Sequence, residues 1–135
     1  MIVITFRIYV NTLGNKNIYK KGDKMNLCVL IMAGERDTRV WPLSTGAKPK
    51  QFLRVISENT LLQMTVNRIK DAIPMERIFI CTEQRYTELL KEQLPNLPER
   101  NIIVEPERRN TASCIALAAM IINRYYKKYN MSRYL

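Results

Sequence analysis

Apolar residues recur along the chain in two alternating rhythms. Leu27 to Met32 is an unbroken apolar run that gives way to a stretch broken by glycine and proline, the pattern of a strand buried on both faces. After Thr60, the residues Leu62, Val66, Ile69 and Ile73 fall on one helical face. Thr60-Leu61-Leu62-Gln63 has the spacing of a capping box, and Pro74 stops the segment. Arg77 to Thr82, built around Ile78-Phe79-Ile80, predicts a second buried strand. Gln84 to Leu94 predicts a second helix, with Tyr86, Leu89, Leu90 and Leu94 at helical spacing and Pro95 after it. Ile102 to Val104 predicts a third strand. A third helix is expected from about Ala112 to Tyr126, with Asn110 or Thr111 placed to cap it.

Strands alternating with helices of this length predict βαβ units, with parallel pairing and right-handed crossovers. The expected fold class is α/β: a partial Rossmann-like parallel sheet with helices on both faces. Three strands and three helices are about half of a doubly wound sheet. Residues 25–135 are therefore expected to form the N-terminal part of such a domain, truncated after a helix that a further strand would cover. Residues 1–24 differ in character. They hold two of the four glycines, much Asn and Lys, and little periodicity after Ile2-Val3-Ile4, so they are expected to lie outside the fold. The run Lys20-Lys21-Gly22-Asp23-Lys24 is what a purine-rich ribosome-binding sequence would encode, which makes Met25 the expected natural start.

Composition narrows the class. With 47% apolar and 25% charged residues, the chain has enough apolar surface for a core and is neither disordered nor collagen-like. The longest apolar runs, Leu27 to Ala33 and Cys114 to Ile122, are far below the roughly 18 residues of a membrane span. Met1 to Phe6 lacks the charge order and cleavage site of a signal peptide, so a cytoplasmic location without a membrane partner is expected. The net charge of +10 points first to nucleic acid, but its distribution argues otherwise. Residues 1–24 carry +4 and residues 124–135 another +4, leaving +2 for the body. No aromatic-basic recognition motif accompanies the charge, so no nucleic-acid partner is expected. Cys28, Cys81 and Cys114 are widely and irregularly spaced and there is no histidine. That excludes a zinc pattern and a disulfide framework, and predicts buried reduced thiols.

Three segments carry candidate chemistry. The first, Ala33-Gly34-Glu35-Arg36-Asp37-Thr38-Arg39, follows the first buried strand, where α/β sheets bind ligands and backbone N–H groups cradle phosphates. Arg36 and Arg39 offer bidentate phosphate contacts. The second, Lys48-Pro49-Lys50-Gln51, is a basic turn stiffened by proline, in which the Lys50 ammonium is suited to charge on a transferring phosphoryl group. The third, Glu105-Pro106-Glu107-Arg108-Arg109-Asn110-Thr111-Ala112, joins the third strand to the third helix. Asn110 and Thr111 supply donors and acceptors for a base edge or ribose, and Ala112 permits close approach. Taken alone, each segment reads first as a surface loop, a solvated lysine or an ordinary helix cap. Jointly they lie on one edge of a parallel sheet, which points to a nucleotide site.

From Met25 onward the chain resembles the sugar-phosphate nucleotidyltransferases, and within them the mannose-1-phosphate guanylyltransferase branch. The likeness rests on Trp41-Pro42-Leu43-Ser44, on Pro49-Lys50-Gln51-Phe52-Leu53, and on Glu105-Pro106-x-x-Arg109-Asn110-Thr111-Ala112, in the family's order and spacing. It implies the N-terminal half of a nucleotidyltransferase domain and the reaction of GTP with mannose 1-phosphate to GDP-mannose and pyrophosphate. By the resemblance, backbone groups from Ala33 and Gly34 to Thr38 hold the triphosphate. Arg39 neutralises the leaving pyrophosphate, Lys50 bridges the reacting phosphates, and Arg109, Asn110, Thr111 and Ala112 line the nucleoside. Magnesium is the implied cofactor, with its aspartate ligand expected on a strand beyond Leu135, so no metal ligand is assigned within the chain. An uncovered half-sheet also implies self-association or association with a full-length homologue, as a non-catalytic remnant.

The first loop departs from the family pattern, which has glycines where this chain has Glu35 and Asp37. A non-glycine residue at a positive-φ position costs about 1 kcal/mol or more. A carboxylate about 5 Å from a phosphate is repelled by roughly 3 kcal/mol per unit charge at an effective dielectric near 20. The expectation is weak triphosphate binding and no turnover by this chain alone.

Overall fold

In the computed structural model of the protein, which describes residues 2–7, 27–33, 49–54, 58–105 and 111–133, the strands form one sheet in chain order. An N-terminal strand β1 (Ile2–Arg7) pairs antiparallel with β2 (Leu27–Met32). β2 pairs in parallel with β3 (Ile78–Glu83), and β3 in parallel with β4 (Ile102–Glu105). Met32 lies opposite Cys81 and Glu83 opposite Glu105, so the carboxyl ends of the three parallel strands share one rim.

Side chains alternate across each strand, and this sorts the core into two layers. Val29, Ile31, Ala33, Ile78 and Ile80 face one side, where α1 (Leu61–Ile69) and α2 (Thr87–Gln93) contribute Leu62, Val66 and Leu90. Cys28, Leu30, Phe79, Cys81 and Ile103 face the other, against Cys114, Ala118 and Ile122 of α3 (Thr111–Arg133). The expected α/β class, parallel pairing and helices on both faces are what the structure has.

Element boundaries shift for local reasons. The capping box at Thr60 is complete: Gln63 N–H donates to Thr60 Oγ1 (3.2 Å) and Thr60 N–H to Gln63 Oε1 (2.9 Å), a cap worth about 1 kcal/mol. The second buried strand begins at Ile78 rather than Arg77, because Met75–Arg77 close a 3₁₀ turn through Arg77 N–H donating to the Pro74 carbonyl. The second helix divides into a 3₁₀ turn (Gln84–Tyr86) and α2, where Thr87 Oγ1 donates to the Gln84 carbonyl at 2.8 Å. α3 continues past the expected Tyr126 to Arg133 and begins at Thr111, which puts its cap at position 110, outside the described residues.

Two further features departed from expectation. Residues 1–24 were expected outside the fold, yet Ile2–Arg7 pairs with β2 along its whole length. Ile-Val-Ile-Thr-Phe is rich in β-branched and aromatic residues, and the open edge of β2 offers unpaired backbone groups. The remainder of that segment lies outside the described residues. All three cysteines are buried, as expected. The expectation of reduced thiols fails for Cys81 and Cys114, 33 residues apart, which are joined sulfur to sulfur because α3 packs its Cys114 stripe against β3.

Candidate functional site

The rim is built from strand ends. Ala33 closes β2, is buried, and donates its N–H to the Cys81 carbonyl at 2.8 Å, so the first candidate loop departs from a point tied to β3. The Lys50–Phe52 turn is brought to the same rim by its apolar member: Phe52 belongs to the core cluster of Ala33 and Tyr86, and its ring lies 5.7 Å from the Tyr86 ring. Two bonds lock this turn in place. Gln93 Nε2 donates to the Phe52 carbonyl (3.3 Å), and Leu61 N–H donates to the Leu53 carbonyl (3.2 Å). Lys50 is therefore mounted, half-buried, on a fixed turn over the α1 and α2 face.

Thr111 and Ala112 open α3 on the opposite face, and Ala112 is exposed. The ends of β2 and β4 stand two strand spacings apart, about 10 Å, with β3 between them. Its last residue, Glu83, pairs with Arg85 at 2.6 Å, and that guanidinium sits 4.7 Å above the Tyr86 ring. The Lys50 turn and the start of α3 thus flank one rim from its two sides. Gly34, Thr38, Arg39, Arg109 and Asn110 lie outside the described residues, as do Glu35 and Asp37 and the side chain of Thr111.

Sequence reasoning gave no role to two polar side chains near this rim. Gln51 is wholly buried, and neither its amide nitrogen nor its oxygen has a hydrogen-bond partner among the described residues. Thr82, buried one residue before the end of β3, has a hydroxyl with no hydrogen-bond partner among the described residues. Alternation from Ile78 and Ile80 sets Thr82 on the α1 and α2 face, the side occupied by the Gln51 turn. Each buried unmet polar group costs about 1–3 kcal/mol. For Thr82 the signal was legible: a hydroxyl near the carboxyl end of an otherwise apolar strand.

The model of the nucleotidyl transferase family matches residues 28–132, which take in the parallel strands and the helices described but for the first residue of β2 and the last of α3. The chain belongs to the nucleotidyl transferase family. Among its relatives in that family, mannose-1-phosphate guanylyltransferase of Escherichia coli is 44% identical over 101 residues, covering 73% of this chain and 21% of that protein. The enzyme of the same name from Sinorhizobium fredii is 43% identical over 94 residues, covering 68% and 18%. The crystal structure of mannose-1-phosphate geranyltransferase from Thermus thermophilus aligns with a TM-score of 0.55 at 32% identity, covering 64% of this chain and 25% of that one. The chain spans about a fifth of the length of the curated relatives it matches.

Among the described residues, no group of three or more His, Cys, Asp or Glu is placed to hold a metal ion. No described helix is long and apolar enough to cross a membrane.

Proposed function

We propose that this chain carries the GTP-binding rim of a mannose-1-phosphate guanylyltransferase, and that it forms no GDP-mannose on its own. In that reaction a phosphate oxygen of mannose 1-phosphate attacks the α-phosphorus of GTP, the bond to the β-phosphate breaks, and pyrophosphate leaves. Positioning and charge carry such a transfer, with no covalent nucleophile on the protein. The loop from Ala33 and Gly34 to Thr38 holds the triphosphate through backbone N–H groups. Arg39 neutralises the departing pyrophosphate and Lys50 the reacting phosphates. Arg109, Asn110, Thr111 and Ala112 contact the nucleoside. A cytoplasmic location goes with this reading.

The observation that supports it is the common carboxyl rim of β2, β3 and β4, with the Lys50 turn anchored to it through Phe52. The helices strengthen the inference. α1 and α2 cover one face and α3 the other, the two-sided arrangement of open α/β sheets, which bind ligands outside the carboxyl ends of their strands. Glu35 and Asp37 are expected to repel the triphosphate. Isothermal titration of the chain with GTP and magnesium tests both parts. Binding weaker than micromolar is expected, restored by Glu35→Gly with Asp37→Gly. Micromolar binding by the unaltered chain overturns the charge argument, and GDP-mannose formation overturns the claim of inactivity.

A second reading is favoured by α3, where Met120 is 71% exposed and Ile121 also reaches the surface. It is a non-catalytic partner of a full-length guanylyltransferase. Co-elution with the full-length enzyme in size-exclusion chromatography, abolished by Met120→Glu, is its expected mark.

A further inference from the structure

The turn that carries Lys50 has two kinds of hydrogen bond. Phe52 N–H to the Pro49 carbonyl (3.0 Å) and Leu53 N–H to the Lys50 carbonyl (3.1 Å) lie within it and set its shape. Its place on the molecule is set by bonds that leave it, and one of these comes from a side chain. Gln93 Nε2 donates to the carbonyl of Phe52, 41 residues away. The amide has one workable orientation. Turned over, it would set its oxygen against the Phe52 carbonyl with no proton between them. As it stands, Thr60 Oγ1 accepts from Gln63 N–H, donates to Gln93 Oε1 (2.8 Å) and leaves Nε2 for the turn. The main chain of Gln93 is held as well. As the last residue of α2 it has a carbonyl that the helix cannot use, and Gln63 Nε2 donates to it at 2.9 Å. A directed chain thus runs from the capping box of α1, through one side chain, into the backbone two residues past Lys50.

We propose that Gln93 is a positioning residue for Lys50, acting through the turn rather than on a ligand, and that it fixes the direction from which the ammonium meets the phosphates. What Lys50 does rests on the GTP-binding reading proposed above; what holds Lys50 rests on the hydrogen bonds. The Phe52 ring anchors the same turn in the apolar core, but apolar contact is non-directional. The amide bond specifies where the Phe52 carbonyl points, and bonds arranged in series reinforce one another. The distinction matters for a group that must meet a phosphate. A misplacement of about 1 Å is enough to slow a transfer by roughly a hundredfold.

The first test is amide hydrogen exchange on the whole chain with Gln93→Met, which keeps the length of the side chain and removes both its donor and its acceptor. Exchange at Phe52 and Leu53 is expected to speed up about fivefold, the effect of one ordinary hydrogen bond. If Gln93 serves only to tie α1 to α2, amides of the sheet core speed up and those two do not, which overturns the proposal. Should Gln93→Met not fold, Gln93→Glu keeps an acceptor for Thr60 and loses only the donor to Phe52, and the same result is expected. The second test is a double-mutant cycle on the binding of GTP with magnesium, in the chain carrying Glu35→Gly and Asp37→Gly. Lys50→Met is expected to weaken binding about tenfold or more beside Gln93, and less than about threefold in the Gln93→Met chain. Equal factors mean that Gln93 acts independently of Lys50, and overturn the proposal. Absence of binding with Lys50 and Gln93 both in place overturns the nucleotide reading instead, and exchange at Phe52 and Leu53 then decides whether Gln93 holds the turn.

Discussion

On one face of the sheet, two helices and their flanking turns bury Phe52, Leu62, Tyr86, Leu90 and their neighbours; on the other, α3 alone covers the strands with Cys114, Ala118 and Ile122. The first face is also cross-tied by polar bonds. Thr60 Oγ1 donates to Gln93 Oε1 (2.8 Å), and Gln63 Nε2 donates to the Gln93 carbonyl (2.9 Å), which joins the start of α1 to the end of α2. At the opposite end of the strands the buried Asn101 amide nitrogen donates to the carbonyls of Met75, Glu76 and Ile78, at 3.2, 3.0 and 2.8 Å. α3 has a single buried stripe at four-residue spacing, and Met120 points away from it into solvent. The face carrying the Lys50 turn is thus braced by side-chain hydrogen bonds, whereas α3 is tied to the sheet through the link between Cys81 and Cys114. The role proposed for Lys50 calls for a fixed mount, and the loop proposed to hold phosphate calls for roots that do not move.

That contrast is open to measurement by denaturant unfolding. Phe52→Ala removes a wholly buried ring from the braced face and is expected to cost about 3–5 kcal/mol, with the Lys50 turn loosened at the same time. A cost below 1 kcal/mol would show that the turn is not held by that ring. Asn101→Ala strands three carbonyls and is expected to cost about 1–3 kcal/mol. On the thinner face, Ala118→Leu forces a larger side chain between α3 and the sheet, at an expected cost of about 1–3 kcal/mol. If the leucine is accommodated for nothing, α3 is not in close contact with the strands.

Gln51→Met replaces a buried amide without partners among the described residues by an apolar side chain of similar length, and a gain of about 1 kcal/mol is expected. A loss of stability would mean that the Gln51 amide is bonded in the folded protein. A gain accompanied by weaker GTP binding would assign the amide to the ligand. The smallest effect is electrostatic and lies at the surface. Lys91 bridges Glu99 (2.6 Å) and Glu88 (3.4 Å). The hydrogen bond from Lys91 holds the Glu99 carboxyl below its usual range, and Glu99, then Glu88, raise Lys91 above its own. Stability from Glu99 is therefore present above the ordinary carboxylate range and fades as the pH falls through its depressed value. That from Lys91 is present below the ordinary lysine range and fades as the pH rises through its raised value. Glu99→Gln should flatten the acid side of a thermal-melt profile slightly, and salt should mask the difference.

Much of this architecture was legible residue by residue. The apolar runs at Leu27–Met32 and Ile78–Ile80 announced strands covered on both faces, and Thr60 with Gln63 announced the start of α1. Periodicity carries such information because burial acts on each element separately. The boundary at Arg77 was less legible, since a 3₁₀ turn and a strand share much the same composition there. For the site, the three motifs and their place after strand ends could be named in advance. The orphaned amide of Gln51 could not, because whether a polar group is buried depends on what packs over it.

Local rhythm was enough to announce the three parallel strands and the three helices, and the motifs that resemble the family stand in the sequence itself. Three facts depended on distant segments meeting: the seating of the Lys50 turn against Ala33 and Tyr86, the contact of Cys81 with Cys114, and the pairing of Ile2–Arg7 with β2. No local pattern encodes them. An edge strand has one ladder of hydrogen bonds to gain, and only the assembled sheet determines which edge remains open to receive it.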